Sequence, residues 1–98
     1  MPKAYWVGHV DVKDAEAYSA YIAANKAAFD KFGAKFIIRG GPVITLEGRV
    51  RSRCVVIEFP DLETARACYH SREYQAAKAL REPVSLADLI IVEGYGED

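Results

Sequence analysis

The stretch Cys54-Val55-Val56-Ile57-Glu58-Phe59-Pro60-Asp61-Leu62-Glu63 decides the fold. Cys54 to Phe59 alternates and is rich in branched and aromatic residues, so it reads as a strand. Pro60 lacks a backbone N–H and ends it. Asp61 can accept a bond from an otherwise unpaired N–H of the following turn, which makes it a helix N-cap. Glu63 then lies where the helix dipole favours a negative charge. Leu62, Ala65, Cys68 and Tyr69 recur at helical spacing and form the apolar side of that helix.

Upstream, Ala4 to Val12 alternates as a first strand, with Gly8, Val10 and Val12 on one side and Tyr5, Val7, His9 and Asp11 on the other. Asp14 suits an N-cap, and Ala15 to Phe32 is helical, with Tyr18, Ile22, Asn25, Phe29 and Phe32 as its stripe. Gly33 follows, as a helix end prefers. Lys35 to Arg39 is a second strand, interrupted by Gly40-Gly41-Pro42 and expected to resume from Val43 to Leu46. Glu47-Gly48 opens a charged turn that runs to about Arg53. Downstream, His70-Ser71 breaks the second helix, and Ser71 can cap a further segment holding Tyr74, Ala77 and Leu80 until Pro83 stops or bends it. Ala87 to Glu93 is a fourth strand, and the tail after Gly94 is expected to be loose.

Strand, helix, strand, strand, helix, strand is the split βαβ order of a ferredoxin-like α+β domain. It predicts a four-stranded antiparallel sheet with two helices on one face. Val55, Ile57 and Phe59 would join Gly8, Val10 and Val12 under the helices. Tyr5, Val7, His9, Cys54, Val56 and Glu58 would face away, and Leu89 to Val92 is apolar on both sides. Helices on one face cannot cover both, so a second copy stacking sheet on sheet is expected, giving a homodimer through the open face.

Composition agrees with one compact unit. The chain has 98 residues, a length that suits a single domain over 1–98 with its core at about 4–94. At 51% hydrophobic residues, disorder is excluded. With 13 basic and 14 acidic side chains the net charge is −1, which argues against a nucleic-acid partner. Arg49, Arg51 and Arg53 read as a solvated turn rather than a basic patch. No stretch approaches the length of a membrane span, and the N-terminus carries no signal-peptide pattern. Cys54 and Cys68 are too few and too far apart for a disulfide framework, which suggests a cytoplasmic protein.

Arg39-Gly40-Gly41, Leu46-Glu47-Gly48, Val56-Ile57-Glu58-Phe59-Pro60, Ala67-Cys68-Tyr69-His70-Ser71-Arg72-Glu73-Tyr74-Gln75, Leu80-Arg81 and Val92-Glu93-Gly94 occur in that order. Together they resemble the domain-of-unknown-function 1330 family of the dimeric α/β-barrel superfamily, over nearly the whole chain from Tyr5 to Gly94. The resemblance implies a ferredoxin-like subunit and a dimeric α/β barrel of facing sheets. It implies no settled activity, since superfamily relatives include cofactor-free monooxygenases, lactone isomerases, haem proteins and ligand-binding regulatory domains. The chain departs from the family at Asp14-Ala15, where members often show Asp-Pro, and at Pro83.

The candidate chemistry falls in two clusters. His9 and Glu58 are expected to share the open face within diagonal reach and could form a general-base pair; alternatively His9 hydrogen-bonds at a dimer interface. Arg39 could share that face with Ile37 and grip an anionic substrate, or pair with Glu58 or Glu47. Tyr69, His70, Ser71 and Tyr74 form the second cluster, with Tyr18, Tyr21 and Asn25 facing it from the first helix. Resemblance to superfamily pockets implies a small-molecule site there, with His70 or Tyr74 as a proton shuttle. The plainer alternatives are tyrosines packed as core and Ser71 as a cap. Asn25 stands out, because an amide within an apolar stripe needs partners. Arg81, with Lys78 and Asp88, could gate the mouth. His9 and His70 are the two histidines and no HExxH or CxxC occurs, so neither a metal site nor a cofactor is expected. A cofactor-independent enzyme acting on a small organic molecule, a non-catalytic binding module and a purely structural role all remain open.

Overall fold

The computed structural model describes residues 2–96. In chain order the elements are β1 (Ala4–Val12), α1 (Ala15–Lys31), β2 (Lys35–Arg39), β3 (Arg53–Phe59), α2 (Leu62–His70), α3 (Arg72–Arg81), a short 3-10 turn (Glu82–Val84) and β4 (Ser85–Glu93). The sheet order is β2-β3-β1-β4 with every pair antiparallel, which is the ferredoxin-like α+β arrangement. Of the tail after Gly94, Tyr95 is fully exposed, and residues 97 and 98 lie outside the described residues.

The helix starts are set by local side chains. Asp14 accepts from the Ala17 N–H at 3.1 Å, and Asp61 accepts from the Thr64 N–H at 2.8 Å. Ser71 has extended backbone (φ −68°, ψ 153°), separates α2 from α3, and accepts from the Tyr74 N–H at 3.1 Å. Gly33 ends α1 with φ +67°, a conformation that side chains disfavour.

Strand alternation sorts the residues into two faces. Ala4, Trp6, Val10, Ile57 and Phe59 are buried under the helices, while Ile38, Leu86, Ile90 and Val92 remain exposed. The face expected to be left uncovered thus presents exposed apolar residues beside His9, Glu58 and Asp88, and is uncovered in the isolated chain.

Three local expectations need correction. Val43 to Leu46 does not resume β2. Gly40 takes φ +75° and turns the chain out of the sheet, and Val43, Ile44 and Leu46 stand exposed in an irregular segment. The buried stripe of α1 is Tyr18, Tyr21, Asn25, Ala28 and Phe29, rotated toward Tyr21 and Ala28, with Ile22 and Phe32 only half-buried. Leu62 lies on the exposed side of α2, whose packed residues are Ala65, Cys68 and the half-buried Tyr69.

Trp6 centres the core. Its ring lies 4.8 Å from that of Tyr74, 5.2 Å from Phe59 and 5.3 Å from Phe29, and its indole N–H donates to the Ala65 carbonyl at 2.9 Å. The edge-on contacts to Tyr74 and Phe29 suit the charge distribution of aromatic rings, and the indole bond removes the cost of burying a donor.

Candidate functional site

Along β1 the helix-facing positions run Ala4, Trp6, Gly8 and Val10, so the place next to Trp6 has no side chain. A Cβ at Gly8 would have Leu89 Cδ1 at 3.4 Å as its nearest neighbour. Above that gap lies a narrow cavity of about 50 Å³ that opens to solvent at its mouth. About 10–15 Å³ of such space suffices for one water, so the cavity has room for ordered water or for part of a small molecule entering from its mouth. Sheet, α1 and α3 all contribute to its walls.

The walls are aromatic and the polar groups converge. Tyr21 and Tyr74 share a hydrogen bond of 2.9 Å between their hydroxyls, and Arg81 Nε donates to the Tyr74 hydroxyl at 3.3 Å. The Arg81 guanidinium lies 5.6 Å from the centre of the Tyr21 ring, and the Arg53 guanidinium 5.9 Å from that of Tyr18. Arg39 lies over Phe36 at 4.1 Å. Gly40 makes room for Arg53, since a Cβ there would collide with the guanidinium. Burial pushes the Tyr74 phenol well above its usual range, and the neighbouring Tyr21 adds to this. Burial also raises Tyr18.

Two buried polar atoms have no partner: Asn25 Oδ1 and Arg53 Nε. Among the described residues, Arg39, Arg53 and Arg81 make no ion pair within 4.0 Å. The nearby Asp88 carboxylate is engaged by Arg51 at 3.0 Å. The cavity therefore holds three cations on aromatic walls, with an orphaned donor and an orphaned acceptor. No three His, Cys, Asp or Glu side chains come together as a metal-ligand set among the described residues.

Of the residues singled out from the sequence, Tyr18, Tyr21, Asn25, Arg39, Tyr74, Arg81 and Asp88 line this cavity. The others lie elsewhere. His9 pairs in register with Cys54 on one side and Asp88 on the other, whereas Glu58 pairs with Tyr5. Four residues of strand separate His9 from the Glu58 level, about 14 Å at ~3.4 Å per residue. The expected diagonal pair does not form, and Glu58 meets Lys3 at 3.6 Å instead. Arg39 is not on the open face either. Ile37 is the extra residue of a bulge between Phe36 and Ile38, and the bulge turns Arg39 to the helix side opposite Val55. His70 is exposed at the end of α2 with its ring 5.2 Å from Tyr69. Tyr69 is half-buried between Trp6 and Lys78, outside the cavity lining. Ser71 caps α3 and donates to the Cys68 carbonyl at 2.6 Å.

Sequence reasoning missed Arg53 and Gly8. Both carried a signal. Gly8 interrupts a strand face that otherwise reads as core, a mark of close approach by something else. Arg53 has the same parity as Val55 and Ile57, so it joins the helix side once the strand begins one residue earlier.

No curated protein shows significant similarity to the chain. Solved structures do, and at these low identities they establish the fold. A protein of unknown function from Rhodopseudomonas palustris superposes with a TM-score of 0.76 at 18% identity, over 98% of this chain and 85% of that one. SnoaB, a cofactor-independent oxygenase from Streptomyces nogalater, gives 0.65 at 12% identity over 99% and 97%. A dimeric protein of unknown function and ferredoxin-like fold from Bacteroides fragilis gives 0.58 at 14% identity over 94% and 96%. Residues 3–95 match the family model described as Domain of unknown function (DUF1330), a span that includes the motifs from Arg39 to Gly94 noted above. By this match over almost its entire length, the chain belongs to the DUF1330 family.

Proposed function

We propose that the protein is a homodimer of facing sheets in which each subunit holds a small organic molecule in the cavity above Gly8. The observation that carries the ligand reading is the pair of buried, unpartnered atoms, Asn25 Oδ1 and Arg53 Nε, in the wall of a preformed space. Leaving such groups unpaired costs about 1–3 kcal/mol each, so a molecule that pairs with them binds with that much in hand. The dimer reading is supported by the exposed apolar residues Ile38, Leu86, Ile90 and Val92 on the uncovered sheet face. It is supported also by the dimeric Bacteroides fragilis protein of the same fold. The free thiols of Cys54 and Cys68 fit a reducing compartment such as the cytoplasm.

A cofactor-independent enzyme is the second reading, favoured by the Tyr21–Tyr74–Arg81 chain of hydrogen bonds at the cavity wall. There the proton chemistry falls to the tyrosines, because neither His9 nor His70 lines the space. With its phenol held neutral by burial, Tyr74 acts as a donor that orients a ligand or supplies a proton, not as a base.

A melting-temperature screen against small metabolites tests the ligand reading, with Gly8→Leu as the variant that fills the space. A true ligand at about 100 times its Kd stabilises by about 2.7 kcal/mol, roughly 10 °C or more for a chain of this size. The shift is expected in the native protein and not in Gly8→Leu. Equal shifts in both, or none with any compound, contradict it. Light scattering at micromolar concentration is expected to show twice the 10.9 kDa chain mass; a monomer contradicts the facing-sheet dimer.

A further inference from the structure

The cavity wall specifies the charge of what it takes. Arg39 comes from β2, Arg53 from β3 and Arg81 from α3, so three separate elements bring cations to one space. Arg81 is only 8% exposed. A buried cation is costly unless an anion or several acceptors accompany it. The protein supplies no carboxylate to any of the three among the described residues. The aromatic faces beneath them offset part of that cost, each cation–π contact being worth about 0.5–2 kcal/mol. Those faces accept no hydrogen bond in the guanidinium plane, and Arg53 Nε has no acceptor at all.

From this we infer that the ligand is a small, flat hydroxy-carboxylate: a planar apolar body between the aromatic walls, a carboxylate toward the arginines and a hydroxyl toward Asn25. A carboxylate matches the guanidinium fork, with two acceptors in one plane. The orphaned Arg53 Nε asks for an acceptor and the orphaned Asn25 Oδ1 asks for a donor, and one molecule with both groups answers each. The flat body follows from Trp6, Tyr18, Tyr21 and Phe36 on the walls and from the missing side chain at Gly8. The inference rests on the reading of this cavity as a ligand site and adds the class of molecule.

The test uses three probes on the full-length isotope-labelled protein, followed by backbone NMR: 4-hydroxybenzoate, benzoate and the neutral 4-hydroxybenzamide. The expected result is that 4-hydroxybenzoate shifts the Gly8 and Asn25 amides and binds at least about 10-fold more tightly than the amide, the factor of one charge-assisted bond. Benzoate is expected to bind more weakly than 4-hydroxybenzoate. In Arg53→Met the preference for carboxylate over amide is expected to shrink to within about 3-fold. Arg39→Met, at an exposed position, serves the same comparison should Arg53→Met fail to fold. Equal binding of carboxylate and amide overturns the anion assignment while leaving the cavity a ligand site. Equal binding of benzoate and 4-hydroxybenzoate overturns the hydroxyl assignment. No shift of Gly8 or Asn25 with any probe, up to the solubility limit, overturns the inference and the ligand reading together.

Discussion

The space between the helices and the sheet has two ends that solve opposite problems with similar residues. At one end Trp6 fills it, touching Phe29, Phe59, Tyr69 and Tyr74, with its one polar atom bonded to Ala65. At the other end, one β-strand repeat along, Gly8 contributes no side chain, and Tyr18, Tyr21, Asn25, Arg39, Arg53 and Arg81 surround a hollow. Tyr74 belongs to both ends: its ring packs on Trp6 and its hydroxyl reaches Tyr21 and Arg81. Among the described residues the packed end leaves no buried side-chain nitrogen or oxygen without a partner, and it holds the layers together. The hollow end keeps two buried atoms unpaired and a cluster of cations, an arrangement that lowers stability and makes sense as a site.

That contrast breaks most sharply at Trp6. Trp6→Ala is expected to cost about 3–5 kcal/mol, read as a fall in the urea midpoint with the slope unchanged. A cost below about 1 kcal/mol would mean the two ends are not differently packed. At the hollow end the sign should reverse. Arg81→Met removes a buried guanidinium with no carboxylate partner, at the expense of one 3.3 Å bond to Tyr74. It is expected to leave the ligand-free protein as stable, or more stable by roughly 1 kcal/mol, while weakening ligand binding. A loss comparable to that of Trp6→Ala would make Arg81 a structural residue.

The smallest expected effect concerns Cys68, which is fully buried beside the packed end. Burial pushes its thiol up to about 12. In the unfolded chain a thiol ionises near ~8.5, so above that pH the unfolded state gives up a proton that the native state keeps. The stabilising difference is therefore intact below pH ~8.5 and shrinks as the pH rises beyond it, by an amount that Cys68→Ala should abolish. In the native protein at pH 8, Cys68 is expected to resist alkylation, seen by peptide mapping, and to react once urea unfolds the chain.

How much was legible in the sequence follows from how local each feature is. The capped starts at Asp14, Asp61 and Ser71 depend on residues three positions away, and they were readable. The order of elements followed from them, and with it the sheet. Register was not readable. The irregular segment between β2 and β3 and the bulge at Ile37 set which residues face each other, and both arise from pairing across strands. The bulge accounts for Arg39 lying on the helix side, and the β1–β3 register, with Glu58 opposite Tyr5 and His9 opposite Cys54, accounts for the separation of His9 from Glu58. Of the cavity, Asn25 was marked by chemistry out of place on an apolar stripe. Arg53 was hidden in a run of arginines whose other described members point elsewhere, as Arg51 does to Asp11 and Asp88. The hollow itself could not be seen, because empty space is a property of packing and not of any one residue.

A high-resolution crystal structure of the purified protein would test the contrast between the two ends most directly. The account expects density in the space above Gly8, from ordered water or a bound molecule, within hydrogen-bond distance of Arg53 Nε and the Asn25 side chain. Side chains closing that space, with Arg53 and Asn25 bonded to each other or Arg53 and Arg81 paired with carboxylates of the chain, would contradict it.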